Sequence, residues 1–383
     1  MSGKNRKVGI ITLHGYSNYG NRLQNYALQE QIKALGFDVD TLVFQKPETK
    51  FHESKLLKIK RISGLPFKEI ENKVLEKFYV HYNKWINYLN RDSIVERTRI
   101  FKKFSSEYLS EKHFDNSAKT LADLGDFYDF FITGSDQVWN PNFIEGLEDV
   151  FFLSFVKPDR KFSYAASFGI DKLPKSFDDL IRDWLFEMKS ISVRENSGAR
   201  IISEITGRES VISLDPTLLL DKLSWLSIAK EAYKPPKKFI LTYFLGKRPS
   251  EAARLIEVLS QNHELEIVNL GDFKDKKVYQ AGPQEFIDYL RSAEVVLTDS
   301  FHGIVFSILM ETPFVAFKRI GGPSMFSRIE TLLSLVGLVE RESSFIQKEK
   351  DVFEVDFTEA KRIIIREQNK AKEYLENNLK GFR

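Results

Sequence analysis

Short apolar runs alternate with helix-period segments twice along this chain, once on each side of a proline break, and this pattern limits the fold more than any other feature. Residues 8–13 read as a buried strand. Residues 23–35 follow with Leu23, Ala27, Leu28, Ile32 and Leu35 on one helical stripe, closed by Gly36. Residues 37–44 then read as the next strand, which makes a β-α-β unit of Rossmann type. Further strands are expected at 130–132, 162–165, 191–193 and 211–213. After the Lys-Pro-Pro-Lys-Lys break at 234–238 the pattern restarts. Strands are expected at 239–244, 265–269, 295–298 and 314–317, and helices at 250–262, 283–291 and 303–310. A long helix over about 358–379 closes the chain.

The expected fold class is therefore α/β, with two Rossmann-like domains facing a cleft in a GT-B-like arrangement. The first domain is expected over 1–233 and the second over 237–350. Residues 351–383 form a terminal helix that packs back on the first domain. Length agrees, since 383 residues exceed one ordinary core and suit two.

Composition removes several chemistries. With no cysteine there is no disulfide, thiolate nucleophile, iron–sulfur cluster or thiolate zinc site, and the six His are scattered, so no metal and no cofactor are expected. The net charge of +3 speaks against a dedicated nucleic-acid binder. The N-terminus runs from a basic stub into a strand without a signal-peptide core, and the apolar stretch 304–310 is far too short to span a bilayer, so a cytoplasmic location is expected. The charge is unevenly spread, because residues 46–103 hold fifteen Lys/Arg against seven Asp/Glu among aromatic residues. That segment is read as a helical insertion. Its charges form either a solvated face or a surface for peripheral contact with anionic lipid or a lipid-linked acceptor.

Four stretches carry candidate chemistry. The first βα turn, His14 to Arg22, has two glycines that allow close backbone approach and more polar cargo (Asn18, Asn21, Gln24, Asn25) than a turn requires. It is not a G-x-G-x-x-G fingerprint, so no dinucleotide is indicated. The stretch Gly134-Ser135-Asp136-Gln137 puts a hydroxyl, a carboxylate and an amide at a strand's carboxyl edge, where ligands bind in open α/β sheets. A capping role for Ser135 or Asp136 is the plainer alternative. Arg194 stands at a strand-to-helix junction, suited to bidentate binding of carboxylate or phosphate or to a structural ion pair. His302 follows a strand and precedes a helix, whose positive end disfavours imidazolium. Lys318 and Arg319, before a Gly pair, offer two more cations.

These motifs carry a resemblance. Gly-Tyr-Ser-Asn-Tyr-Gly-Asn-x-Leu-Gln-x-Tyr-Ala-Leu (15–28), Gly-Ser-Asp-Gln-Val-Trp-Asn (134–140), Ser-Tyr-Ala-Ala-Ser-Phe-Gly (163–169), Ser-Val-Arg-Glu (192–195), Asp-Pro-Thr-Leu-Leu (215–219) and Thr-Asp-Ser-Phe-His-Gly (298–303) occur in order. Together they resemble the polysaccharide pyruvyl transferase family. The resemblance implies transfer of pyruvate from phosphoenolpyruvate to two hydroxyls of a sugar in a bacterial surface-polysaccharide precursor, forming a ketal without a metal. The acceptor would be a nucleotide- or lipid-linked saccharide. It implicates Arg194 and His302 in donor binding or catalysis. His302 would act as general acid, Asp136 as general base, and Arg194 would offset charge on the departing phosphate. Donor contacts are expected from Asn18, Gly20, Asn21, Ser135, Ser300, Gly303, Lys318 and Arg319, and acceptor contacts from Tyr19, Gln24, Gln137 and Trp139. Several family members carry Arg-Leu-His where this chain has Ser300-Phe301-His302, so the missing charge would have to come from Lys318, Arg319 or Arg22. The alternatives are a GT-B glycosyltransferase using a nucleotide sugar and a non-catalytic glycan-binding relative.

Overall fold

In the computed structural model, which describes residues 6–44, 88–320 and 326–380, the first apolar run becomes β1 (Lys7–Ile11). It lies between β2 (Asp38–Phe44) and β4 (Phe130–Thr133), with Val8 opposite both Val39 and Phe130. The sheet runs β3-β2-β1-β4-β5, all parallel, with β3 at Glu111–Phe114 and β5 at Lys161–Ser163. Bridges from Phe162 to Ser190 and from Ala166 to Val193 continue it towards the parallel pair β6 (Ser192–Val193) and β7 (Val211–Ile212). The second sheet runs β11-β10-β8-β9, again all parallel, from β8 (Phe239–Tyr243), β9 (Glu266–Asn269), β10 (Val295–Thr298) and β11 (Phe314–Ala316).

Strand order reverses at β1/β4 in the first sheet and at β8/β10 in the second. Such switch points open a crevice at the strands' carboxyl ends. The two crevices face one another, so the fold is α/β with two Rossmann-like domains in the GT-B-like arrangement.

Helix α1 (Tyr19–Ala34) starts four residues before its apolar stripe, because Asn18 Oδ1 accepts a hydrogen bond from Asn21 N–H at 3.2 Å and caps it. The polar turn of the sequence is therefore partly the first turn of a helix. Strand β3 was not expected. Its sequence Glu-Lys-His-Phe offers no apolar run, and it is held as an edge strand by pairing with β2.

Aromatic packing joins the domains. Tyr19 stacks on Phe286 with centroids 4.4 Å apart and meets Tyr243 edge-on. Such pairs contribute roughly 0.5–1.5 kcal/mol each beyond area burial. Residues 46–87 of the basic segment lie outside the described residues, and with them the lipid-contact expectation. The described part is the helix Arg91–Tyr108. Its Arg97 is buried, not solvated: it donates to Tyr19 Oη at 2.7 Å, to Tyr279 O at 2.5 Å and to Ser17 O at 3.2 Å. That guanidinium fastens the turn before α1 to the second domain.

The terminal helix Thr358–Leu379 buries Ala360, Ile364, Ala371, Leu375 and Leu379. Tyr374 donates to Ser163 O at 2.9 Å and Gln368 to Leu218 O at 2.7 Å, both in the N-terminal half. Among the described residues no helix is long and apolar enough to cross a membrane.

Candidate active site

The facing crevices enclose a cavity of about 490 Å³. The first domain lines it with Leu13, His14, Asn18, Asn21, Asp136 and Gln137, and the second with Ser300, Phe301, His302, Arg319 and Arg328.

The chemistry centres on a buried ion cluster. Arg194 Nη1 donates to Asp215 Oδ2 at 2.6 Å, and its Nη2 donates to Asp136 Oδ1 at 3.4 Å. Its guanidinium lies 4.6 Å from the Phe301 ring centroid. Asp215 Oδ2 also accepts from Ser135 Oγ at 3.1 Å and lies 3.6 Å from His302 Nε2, while Oδ1 accepts from Thr217 N and Oγ1. Burial alone would raise the Asp215 carboxyl. The charges of His302 and Arg194 and the Thr217 hydrogen bond outweigh it and hold the group far below the usual carboxylate range. Asp136 behaves alike: burial raises it, but Arg194, His302 and Arg328 hold it low. Its backbone is left-handed at φ 72°, a conformation that non-glycine residues adopt where the surroundings enforce it.

His302 is the second residue of the helix Phe301–Met310, which Ser300 caps by accepting from Gly303 N at 3.3 Å. The imidazole is 7% exposed, and its Nε2 is buried without a hydrogen bond. Across the cleft it lies flat against Gly20 of α1. A Cβ at Gly20 would overlap the ring at Nδ1, Cγ and Cε1, so the glycine serves close approach between the domains.

The cation that stands out is one the sequence did not suggest. Arg328, on the helix Ser327–Val336, is 6% exposed and lines the cavity. Among the described residues it makes no hydrogen bond or ion pair, and its Nε is buried without a partner. Burial and the like charge of Arg194 lower its pKa to about 10. A buried guanidinium without a counter-ion is costly unless an anion completes it. The available signal was positional: Arg328 stands three and four residues before Thr331 and Leu332, so it shares the helix's buried stripe.

Of the other expected residues, Asn18, Asn21, Gln137, Ser300 and Arg319 reach the cavity. Arg319 is held by Asp299, whose Oδ2 accepts from its Nε at 3.1 Å. Ser135 and Gly303 do not line the cavity: Ser135 Oγ donates to Asp215 Oδ2 and Gly303 N to Ser300 Oγ. Five expectations are corrected. Tyr19, Gln24 and Trp139, expected to hold the acceptor, are fully buried and engaged with Ala281, Thr12 and Phe151, because turn and strand-end polar groups here serve the core. Lys318, expected at the donor, points outward and pairs with Glu342 at 3.0 Å, away from the cavity. Arg22 also leaves the donor: it is buried against Glu111 at 2.5 Å.

The family model of polysaccharide pyruvyl transferases matches residues 18–319 of this chain. No curated protein matches it significantly. Among solved structures it is similar to UDP-GlcNAc 2-epimerase from Neisseria meningitidis bound to UDP-GlcNAc, at 10% identity over 95% of this chain and 100% of that one, with a TM-score of 0.44. It is also similar to the ADP-heptose LPS heptosyltransferase II of E. coli, at 11% identity over 97% and 99%, with a TM-score of 0.36.

Proposed function

The chain belongs to the polysaccharide pyruvyl transferase family, and we propose that it moves pyruvate from phosphoenolpyruvate onto two hydroxyls of a saccharide in surface-polysaccharide assembly, forming a cyclic ketal. The observation that carries the donor assignment is the buried Arg328, without a hydrogen-bond or ion-pair partner among the described residues, lining the same cavity as Arg319 and His302. Phosphoenolpyruvate brings a carboxylate and a phosphate, and this wall offers Arg328, Arg319 and a helix N-terminus capped by Ser300. Arg328 thus supplies the charge that Ser300 does not.

In the proposed reaction His302 protonates the methylene carbon. A sugar hydroxyl adds at the neighbouring carbon, losing its proton. Phosphate then leaves with the electron pair of its C–O bond, and a second hydroxyl closes the ketal. One hydroxyl proton ends on the methyl group and the other on inorganic phosphate. Asp215 holds Arg194 and faces His302, keeping both in place. Asp136, held low by three cationic neighbours, has little basicity and serves in this scheme to orient Arg194. The acceptor is proposed to be a nucleotide- or lipid-linked sugar, with no metal or cofactor in the reaction.

The test is calorimetry with phosphoenolpyruvate followed by mass spectrometry of candidate acceptors. Donor binding and a product heavier by one pyruvate ketal are expected. Turnover with a nucleotide sugar alone would replace this reading with glycosyl transfer.

A further inference from the structure

The scheme above leaves the acceptor's proton without a base, since Asp136 is committed to Arg194, and a second imidazole on the cavity wall fits that vacancy. His14, in the turn after β1, lines the cavity. Its Nε2 is buried without a hydrogen bond and lies 3.6 Å from Glu111 Oε1. Glu111 is itself pinned, because the fully buried Arg22 Nη1 donates to Oε1 at 2.5 Å. Burial would raise this carboxyl, but His14 and Arg22 hold it below the usual range, so it faces the imidazole as a carboxylate.

We infer that His14 is the general base that takes the acceptor hydroxyl's proton, with Glu111 and Arg22 as its positioning residues. This inference rests on the proposed pyruvyl transfer. The Glu111 carboxylate beside Nε2 selects the tautomer protonated there and leaves Nδ1 as the ring's acceptor. As the acceptor oxygen forms its bond to the donor's central carbon, its O–H bond breaks and the proton moves to Nδ1. The resulting imidazolium faces a carboxylate that is already ionised. That proton later leaves with the phosphate, so the cycle needs no further reactant. A separation of 3.6 Å is loose for a hydrogen bond, and catalytic contacts commonly tighten only when substrate is bound.

Among the described residues, the charged and titratable groups around His14 are these. Tyr16 packs edge-on at 4.8 Å and His113 edge-on at 5.7 Å, with Glu111 and Arg22 beside them and Lys102 over the far face of Tyr16. His14, Glu111 and His113 bring potential ligand atoms within 4.8 Å of one another, which also raises the question of a divalent cation. The Arg22 guanidinium against Glu111 favours the proton-transfer role, because it places a fixed positive charge where the ion's carboxylate ligand would be.

The test uses the full chain with phosphoenolpyruvate and methyl β-D-galactopyranoside as a probe diol, with water as the slow alternative acceptor, following phosphate release. In His14→Gln, phosphoenolpyruvate affinity by calorimetry is expected to stay within about twofold, while kcat falls ~10²–10⁴-fold. In His14→Ala, added imidazole is expected to restore turnover, which a merely structural role does not permit and which keeps the test decisive if His14→Gln is poorly folded. Glu111→Gln is expected to lower kcat ~10-fold or more without changing the donor's KM. Combined with His14→Ala, it should add little further loss. Turnover of His14→Gln equal to wild type, His14→Ala that imidazole does not rescue, or turnover abolished by a chelator and restored by zinc would each overturn this inference. Failure of the wild type to bind phosphoenolpyruvate or release phosphate would instead overturn the transfer reading itself.

Discussion

Replacing Arg328 with Met should make the ligand-free protein more stable and the donor complex weaker. The guanidinium is buried beside Arg194 with no hydrogen-bonded or ion-paired carboxylate among the described residues; burial and Arg194 outweigh the more distant Glu195 and Asp136 and lower its pKa from the ordinary arginine value to about 10. That is roughly two and a half tenfold steps, and at ~1.4 kcal/mol per step it corresponds to a charging cost of about 3 kcal/mol. Met retains much of the apolar stem without the charge, so Arg328→Met should gain about 1–3 kcal/mol in urea unfolding without ligand. The same change removes a charge-assisted hydrogen bond to the donor, worth ~1.5–3 kcal/mol. Phosphoenolpyruvate affinity should therefore fall ~10–150-fold by calorimetry. Arg328→Lys keeps the charge but loses the planar fork and should fall between. An Arg328→Met protein that is less stable than wild type and binds the donor unchanged would refute the reasoning, because the guanidinium would then be a structural anchor.

Gly20→Ala drives a Cβ into the His302 ring, so a loss of turnover is expected together with ~1–3 kcal/mol of destabilisation, read by activity and thermal melting. Asp215→Asn leaves Arg194 without its closest carboxylate and should cost ~3–5 kcal/mol near neutral pH. Because the Asp215 carboxyl is held far below its ordinary value of 3.8, its contribution is complete above that pH and is lost as pH falls towards the folded value. Wild type should therefore lose stability more steeply than Asp215→Asn below about pH 4, checked by urea unfolding from pH 3 to 7. Lys318→Ala should leave phosphoenolpyruvate affinity within about twofold in calorimetry, since exposed ion pairs contribute little and this one lies off the cavity.

The α/β alternation was legible because buried parallel strands are continuous apolar runs and the helices between them keep one stripe. That His302, Asp136 and Ser300 emerge at the cavity was legible because a strand's carboxyl end fixes where the next few residues come out, whatever the tertiary detail. Tyr19, Gln24 and Trp139 were misread for a related reason: polar and aromatic residues next to such an end can face the cavity or the core, and local pattern does not choose. Strand β3 left no trace because an edge strand needs no apolar run, and with it Glu111 stayed hidden. Arg97 and Arg328 were hidden more deeply. Each looks like one of many surface cations, and only the chain's return from over a hundred residues away reveals what surrounds them.

The most direct test of the central claim is to incubate the purified protein with phosphoenolpyruvate and candidate saccharide acceptors, following inorganic phosphate by ³¹P NMR and acceptor mass together. Stoichiometric phosphate release with a pyruvate ketal on the sugar is the predicted result, abolished in His302→Ala. Sugar transfer from a nucleotide sugar, with phosphoenolpyruvate neither bound nor consumed, would contradict it.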